Sequence, residues 1–181
     1  MEKPDVIWGQ IEAIKENNVY RDFLEGTIIP TINNRSTDEI VLYLSNAEIN
    51  LAPSVLYIVN LEFLKVNNLY FQDIPYEDDE WSSKVLTYVN KVYIYCKRFY
   101  RYRLREGSLS SCKNFEMYWS YAKIVQDLYS LSISISSPPR IEFLHNRCRY
   151  LLYRIRNEMH SLEIMENEKL FKQLYSFNQN N

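Results

Sequence analysis

The sequence predicts an α+β fold that is mostly α: a small β-containing N-terminal module over residues 1–75, then a helical bundle domain over residues 76–181. Three observations carry that expectation. In 80–105, Trp81, Val85, Tyr88, Val92, Tyr95, Phe99 and Tyr102 recur at alternating steps of four and three, the spacing of one helical seam. Two later stretches, opening at Phe115 and at Pro139, repeat that period. Short β-rich runs, each cut by proline or turn residues, are confined to the first 75 or so positions.

Taken in order, Pro4 with Ile7, Ile11 and Ile14 predicts a short amphipathic helix ending near Asn17, and Val19–Glu25 one more turn before Gly26. Thr27–Ile32 contains Pro30 and reads as an edge or kinked strand. Glu39–Leu44 reads as a second strand, Val55–Val66 as a helix started near Pro53-Ser54, and Leu69–Gln72 as a third strand. The 80–105 stretch is expected as one rod. Asp78, Asp79 and Glu80 suit its positive end, Arg101, Arg103 and Arg105 its negative end, and Gly107 its stop. Leu86, Tyr93 and Tyr100 lie seven apart on a second ridge, so the rod seeks apolar cover on two sides. Lys84, Lys91, Arg98 and Arg105 form a parallel basic row, roughly 30 Å long at about 1.5 Å per residue.

Asn114 is a suitable N-cap for a helix carrying Phe115, Trp119, Ala122, Val125 and Tyr129. Ser130–Ser136 alternates Ser with Leu131, Ile133 and Ile135. That is a strand by period, but beside Pro138-Pro139 it is preferred here as an extended connector. The next helix runs along Ile141, Leu144, Cys148, Leu151, Ile155, Met159 and Leu162, and Glu166–Phe177 forms a last short one.

Composition excludes several functions. Hydrophobic residues at 46% and charged residues at 24% are globular values, and sixteen Tyr imply many half-buried positions where the hydroxyl needs a partner. Gly9, Gly26 and Gly107 are dispersed, so neither a P-loop nor a dinucleotide fingerprint is available. Cys96, Cys112 and Cys148 are odd in number and unclustered, which fits a reducing compartment. No apolar run is long enough for a membrane span or a signal peptide, so a soluble, unsecreted protein is expected. Net charge is −10 over residues 1–83 (5 basic, 15 acidic), +7 over 84–113 (8 and 1) and +1 over 114–181 (8 and 7), summing to −2. Such segregation favours charged partners or pairing within the chain.

Several words, in shared order, resemble one family. Phe23-Leu24-Glu25 followed by Thr27-Ile28-Ile29-Pro30 is similar to the opening of GINS replication-complex subunits of the partner-of-Sld-five, number-two type. Asp38-Glu39-Ile40, Leu56-Tyr57-Ile58-Val59, Pro75 with Glu80-Trp81, Tyr118 with Lys123-Ile124-Val125, and Leu162-Glu163-Ile164-Met165-Glu166-Asn167 resemble later family words. Residues 1–18 are extra, the family's Gly-rich loop is replaced by Ser45-Asn46-Ala47-Glu48, and Arg140, Arg147 or Arg154 could each take the place of its inward arginine. The resemblance implies a nuclear, non-catalytic scaffold in DNA replication. Its partners would be three paralogous subunits, the MCM ring and Cdc45, with no cofactor and no small-molecule substrate.

On that reading Leu86, Tyr93, Tyr100, Leu151, Ile155, Leu162 and Met165 are expected at subunit interfaces. Lys97, Arg98, Arg101 and Arg105 are the candidate contacts to nucleic acid or an acidic partner, against a packed helix with a solvated basic row. His145 with Cys148 could ligate a metal, and Cys112 with a histidine could form a nucleophile pair. No completing residues accompany either, so no metal and no catalytic site is expected. Glu77-Asp78-Asp79-Glu80 is read as a solvated helix start. The competing reading is a stand-alone helical adaptor, such as a viral Bcl-2-like protein holding a partner helix.

Overall fold

A computed structural model describes residues 3–15, 18–22, 32–46, 51–103 and 115–158. Its elements are strands β1 (Val6–Lys15), β2 (Asn18–Asp22), β3 (Tyr57–Val59) and β4 (Val92–Arg103), and helices α1 (Thr37–Asn46), α2 (Leu61–Val66), α3 (Glu77–Tyr88), α4 (Phe115–Ser134) and α5 (Pro138–Glu158). The fold is α+β and mostly α, as the sequence predicts. None of the described helices is long and apolar enough to cross a membrane.

β1 is the centre of the four-stranded sheet. Along one edge it pairs in parallel with β4, from Val6↔Val92 to Ile14↔Arg103. Along the other it pairs antiparallel with β3 at Val6–Trp8 and with β2 at Glu12–Lys15. Asp5 ties the start of β4 to β1: its carboxylate accepts from the amides of Asn90 (3.0 Å) and Lys91 (3.1 Å). One apolar core gathers Val6, Trp8 and Ile11 of β1, Ile40 and Leu44 of α1, Val85 and Leu86 of α3, and Leu144, Leu151 and Ile155 of α5.

This sheet corrects two sequence expectations. Val6–Lys15 form strand β1 where a helix from Pro4 to near Asn17 is expected, and the described part of the 80–105 rod is the body of helix α3, a break at Val89–Lys91, then strand β4. The misreading of β4 has a visible cause. The β1–β4 register shifts between Gly9 and Gln10 and again between Gln10 and Ile11, placing Tyr95 opposite Gly9, Arg98 opposite Gln10 and Tyr100 opposite Ile11. Bulged residues stretch a period of two into steps of three and four, which imitates a helix. The basic row is consequently not a row: Lys84 lies on α3, Lys91 in the break, Arg98 on β4, and Arg105 outside the described residues.

Local chemistry explains the remaining differences. Glu39–Leu44 is helical because Ser36 and Glu39 form a capping box: Ser36 Oγ accepts from the Glu39 amide at 3.3 Å, and Glu39 Oε2 accepts from the Ser36 amide at 2.9 Å. The Ser36 hydrogen bonds hold the Glu39 carboxyl below its ordinary value. Val55–Val66 is interrupted, with β3 added to β1 before Asn60 caps α2 through the Glu62 amide at 2.9 Å. Val19–Asp22 is strand rather than a helical turn, and Leu69–Gln72 is not a strand. Residues 27–31 and 166–177 lie outside the described residues.

The helices opening at Phe115 and Pro138 agree with expectation, but α4 also takes Ser130–Ser134, expected as a connector. The two pack antiparallel, with Val125 O opposite Cys148 Sγ (3.6 Å), Ser132 Oγ opposite His145 Nε2 (3.2 Å) and Tyr121 Oη opposite Arg154 (2.7 Å). α5 then grips α3 at both ends. Arg140 donates to the carbonyls of Leu86 and Val89 (2.9 Å), occupying acceptors that the helix C-terminus leaves free, and pairs with Asp38 at 2.7 Å. Arg147 pairs with Asp79 at 2.8 Å and donates to Ser83 Oγ at 3.3 Å, all three side chains being buried.

Two outcomes follow from this packing. A Cβ on Gly9 would sit 2.6 Å from Phe99 Cδ1, so Gly9→Ala is expected to cost about 1–3 kcal/mol in urea unfolding. Adding Phe99→Ala removes the collision, and the double variant should lose less than the sum of the two singles. Arg147→Met leaves a buried carboxylate alone and is expected to cost about 3–5 kcal/mol, with much of that recovered when Asp79→Leu is added. Additive losses in the second cycle would show that the pair is uncoupled.

Candidate functional site

Four consecutive carboxylates open α3, and the fold treats each differently. Acidic side chains suit the positive end of a helix, so the run is compatible with its first turn. Successive residues are about 100° apart around the axis, so the run is dealt out to separate faces. Asp79 turns to α5 and Arg147. Glu80 turns to the α4 side, pairing with Lys84 and accepting from Gln72 Nε2 at 2.7 Å, while Gln72 also reaches Asp127 at 3.3 Å. Both are buried, which corrects the expectation of a solvated turn.

Glu77 and Asp78 are both left partly at the surface, and the second of them, Asp78, adjoins the buried Asp79. Asp78 is half-buried, and among the described residues no cation pairs with it. Its carboxyl is pushed up to about 7, first by burial and then by the charges of Asp79 and Glu77, against hydrogen bonds from the backbone of Asp79 and of Asp78 itself. Burial also pushes Asp79 up, against the pull of Arg147. A carboxyl that exchanges its proton near neutrality is suited to general acid–base work.

The approach to this turn is strained. Tyr76, immediately before α3, sits in the left-handed region at φ 62° and ψ 31°, which a bulky side chain rarely adopts. Its ring packs on Tyr121 of α4 at 5.2 Å. One turn beyond Asp78, the Trp81 indole meets the Tyr57 ring edge-on at 5.7 Å and stacks under Phe71 at 4.8 Å. The first turn is thus fixed by α5 through Asp79, by α4 through Tyr76, and by β3 through Trp81.

The residues expected to act from sequence lie elsewhere and do not converge on this turn. Leu86, Leu151 and Ile155 are buried within this chain. Tyr93 and Tyr100 are exposed on β4, while Leu162, Met165 and Arg105 lie outside the described residues. Lys97, Arg98 and Arg101 are exposed on β4, and Glu12 of β1 pairs with both Arg98 (3.4 Å) and Arg101 (3.2 Å). Cys148 is packed against α4 and its thiol is pushed up to about 11 by burial, which suits packing rather than ligation. Among the described residues no three His, Cys, Asp or Glu side chains are grouped to hold a metal, and Cys112 lies outside them. Asp78 was legible in one respect: a carboxyl flanked by two others, between Tyr76 and Trp81, invites both desolvation and like-charge repulsion.

No family model matches this sequence, and no curated protein does. Among solved structures, the chain is similar to S. aureus TarS 1–349 in complex with UDP-GlcNAc, at a TM-score of 0.62 and 18% identity, covering 93% of this chain and 47% of that one. The likeness does not bear on the GINS resemblance. The expectation of a chain without catalytic activity is set aside, because the same fold occurs in a protein solved with UDP-GlcNAc bound. The chain spans about half the length of TarS 1–349, and it is the fold of that half that the two share.

Proposed function

We propose that this chain forms part of an enzyme that transfers a sugar from a nucleotide-linked donor, with Asp78 taking the proton from the acceptor hydroxyl. The observation that carries the reading is the half-buried Asp78 carboxyl at the head of α3, pushed up to about 7 and paired with no cation among the described residues. A fold shared with a protein solved with UDP-GlcNAc supports it.

The chemistry fits the group. In such a transfer the acceptor oxygen bonds to the anomeric carbon, the bond from that carbon to the diphosphate oxygen breaks, and the hydroxyl proton must leave. An ordinary aspartate, near 3.9, is ionised at neutral pH but is a weak base. A carboxylate near 7 is a stronger base and still largely ionised in mildly alkaline solution. Its neighbours supply rigidity: the buried Asp79–Arg147 pair fixes the turn, and the strained Tyr76 sets the chain direction into it.

A second reading, a docking subunit of GINS type, rests on the resemblance and on one observation. Tyr129 and Ile133 of α4 and Leu152 and Tyr153 of α5 are exposed, as a face covered by another chain would be. Co-expression with three paralogous GINS subunits separates the readings. Incorporation favours the second, and a protein that stays apart from them sets it aside.

Two outcomes test the first reading. With UDP-GlcNAc as donor and simple saccharides as acceptors, wild-type turnover, followed as UDP release, is expected to rise with pH and level off above about 7. Asp78→Asn should lose about 10²–10⁴-fold in kcat with donor KM little changed. Undiminished turnover in Asp78→Asn would overturn the assignment. The raised carboxyl also affects stability. The native state keeps the Asp78 proton up to about 7, whereas the unfolded chain releases it near its ordinary value. The contribution is therefore complete below the ordinary value and lost as pH rises through about 7. Asp78→Asn should accordingly exceed wild type by about 2–4 kcal/mol at pH 8 and converge with it near pH 4, as read by urea unfolding.

A further inference from the structure

Beside Asp78 lies an aromatic platform that proton transfer alone does not explain. The segment Leu69–Asp73 crosses the outer side of Trp81: the indole Nε1 donates to Leu69 O at 3.3 Å, and the Phe71 ring stacks on the indole at 4.8 Å with 24° between planes. Trp81 is only 6% exposed, held from within by Tyr57. Phe71 leaves 50% of its surface to solvent, and Tyr70 beside it leaves 62%. A buried indole thus holds one face of Phe71 while much of that ring remains open.

Trp81 follows Asp78 by three residues, which puts both on one side of α3. Helical side chains lean toward the N-terminus, so the indole and the ring stacked on it lie over the turn that carries Asp78. Asp78 and the indole that carries Phe71 therefore share one side of the helix.

We infer that the open face of Phe71 is the acceptor subsite and that the acceptor is a saccharide. This rests on the reading of Asp78 as the base. An aromatic face carries partial negative charge and attracts the weakly positive C–H groups on the apolar side of a hexopyranose, while the ring's hydroxyls project around the rim. A hexopyranose laid on Phe71 brings its rim toward Asp78, where one hydroxyl gives up its proton. Because Trp81 already fixes the platform, little ordering is needed on binding. The exposed Asp73 carboxylate and the Tyr70 hydroxyl supply hydrogen-bonding groups at the edge.

The test uses the full chain and saturation-transfer NMR with methyl β-glucoside, methyl β-galactoside and methyl β-N-acetylglucosaminide. At least one is expected to bind with saturation concentrated on the C–H groups of one ring face. Phe71→Ala should weaken that binding about tenfold, Phe71→Trp should retain it, and Asp78→Asn should retain it. In turnover, Phe71→Ala should raise acceptor KM by a similar factor. No binding by any of the three, or equal binding in Phe71→Ala, overturns the inference even if Asp78→Asn abolishes transfer. Phe71-dependent binding without transfer by the wild type would instead keep the subsite and remove the enzyme reading. Phe71→Ala is half-exposed and is expected to fold; unchanged near-ultraviolet circular dichroism is the control.

Discussion

Two arginines on α5 hold α3 in place, and most of the molecule's organisation depends on that grip. Arg140 occupies the carbonyls at the end of α3 and Arg147 neutralises the first turn through Asp79. They stand seven residues apart, about 10 Å along α5 at 1.5 Å per residue, so a twelve-residue helix is clamped near both ends. Arg154, seven further on, reaches Tyr121 and binds α4 into the same frame. The arginine row on α5 thus joins α3, α4 and α5.

That grip explains how one carboxylate comes to differ from its neighbours. Asp79 and Glu80 are committed to Arg147 and to Lys84 with Gln72, so their charges are compensated where they are buried. Among the described residues no cation pairs with Asp78, where partial loss of water and the repulsion of Asp79 and Glu77 outweigh hydrogen bonds from the backbone. Burial of polar groups is ordinarily matched by hydrogen bonds or ions, and a position where the match is withheld is costly to folding. Here the cost falls on the residue best placed to exchange a proton with a bound molecule.

The legibility of the sequence followed its geometry. α4 and α5 are long and unbroken, and their seams through Phe115–Tyr129 and Ile141–Ile155 carried the right period and nearly the right ends. β4 was misread because extra residues between Tyr95 and Tyr100, opposite Gly9–Ile11, lengthened its alternation, an effect visible only when two strands are set side by side. The start of α1 was readable: Ser36 and Glu39 stand at capping-box spacing, and the β-branched residues between Ile40 and Leu44 obscured it. Within the site, the acidic run was visible, but which of its acids would be paired and buried was not. That choice is made by Arg147, sixty-eight positions away, and by Gln72 and Lys84 on another face.

The parallel ladder between β1 and β4 also sets the order in which the chain can be completed on a ribosome. Val6 must wait for Val92, so the longest edge of the central strand stays bare while the intervening residues are made, on the order of ten seconds at ordinary elongation rates. Pairing at such separation is slow and leaves main-chain donors and acceptors open to any other extended segment nearby. A nascent β1 is therefore the place where this protein most needs a chaperone's shelter.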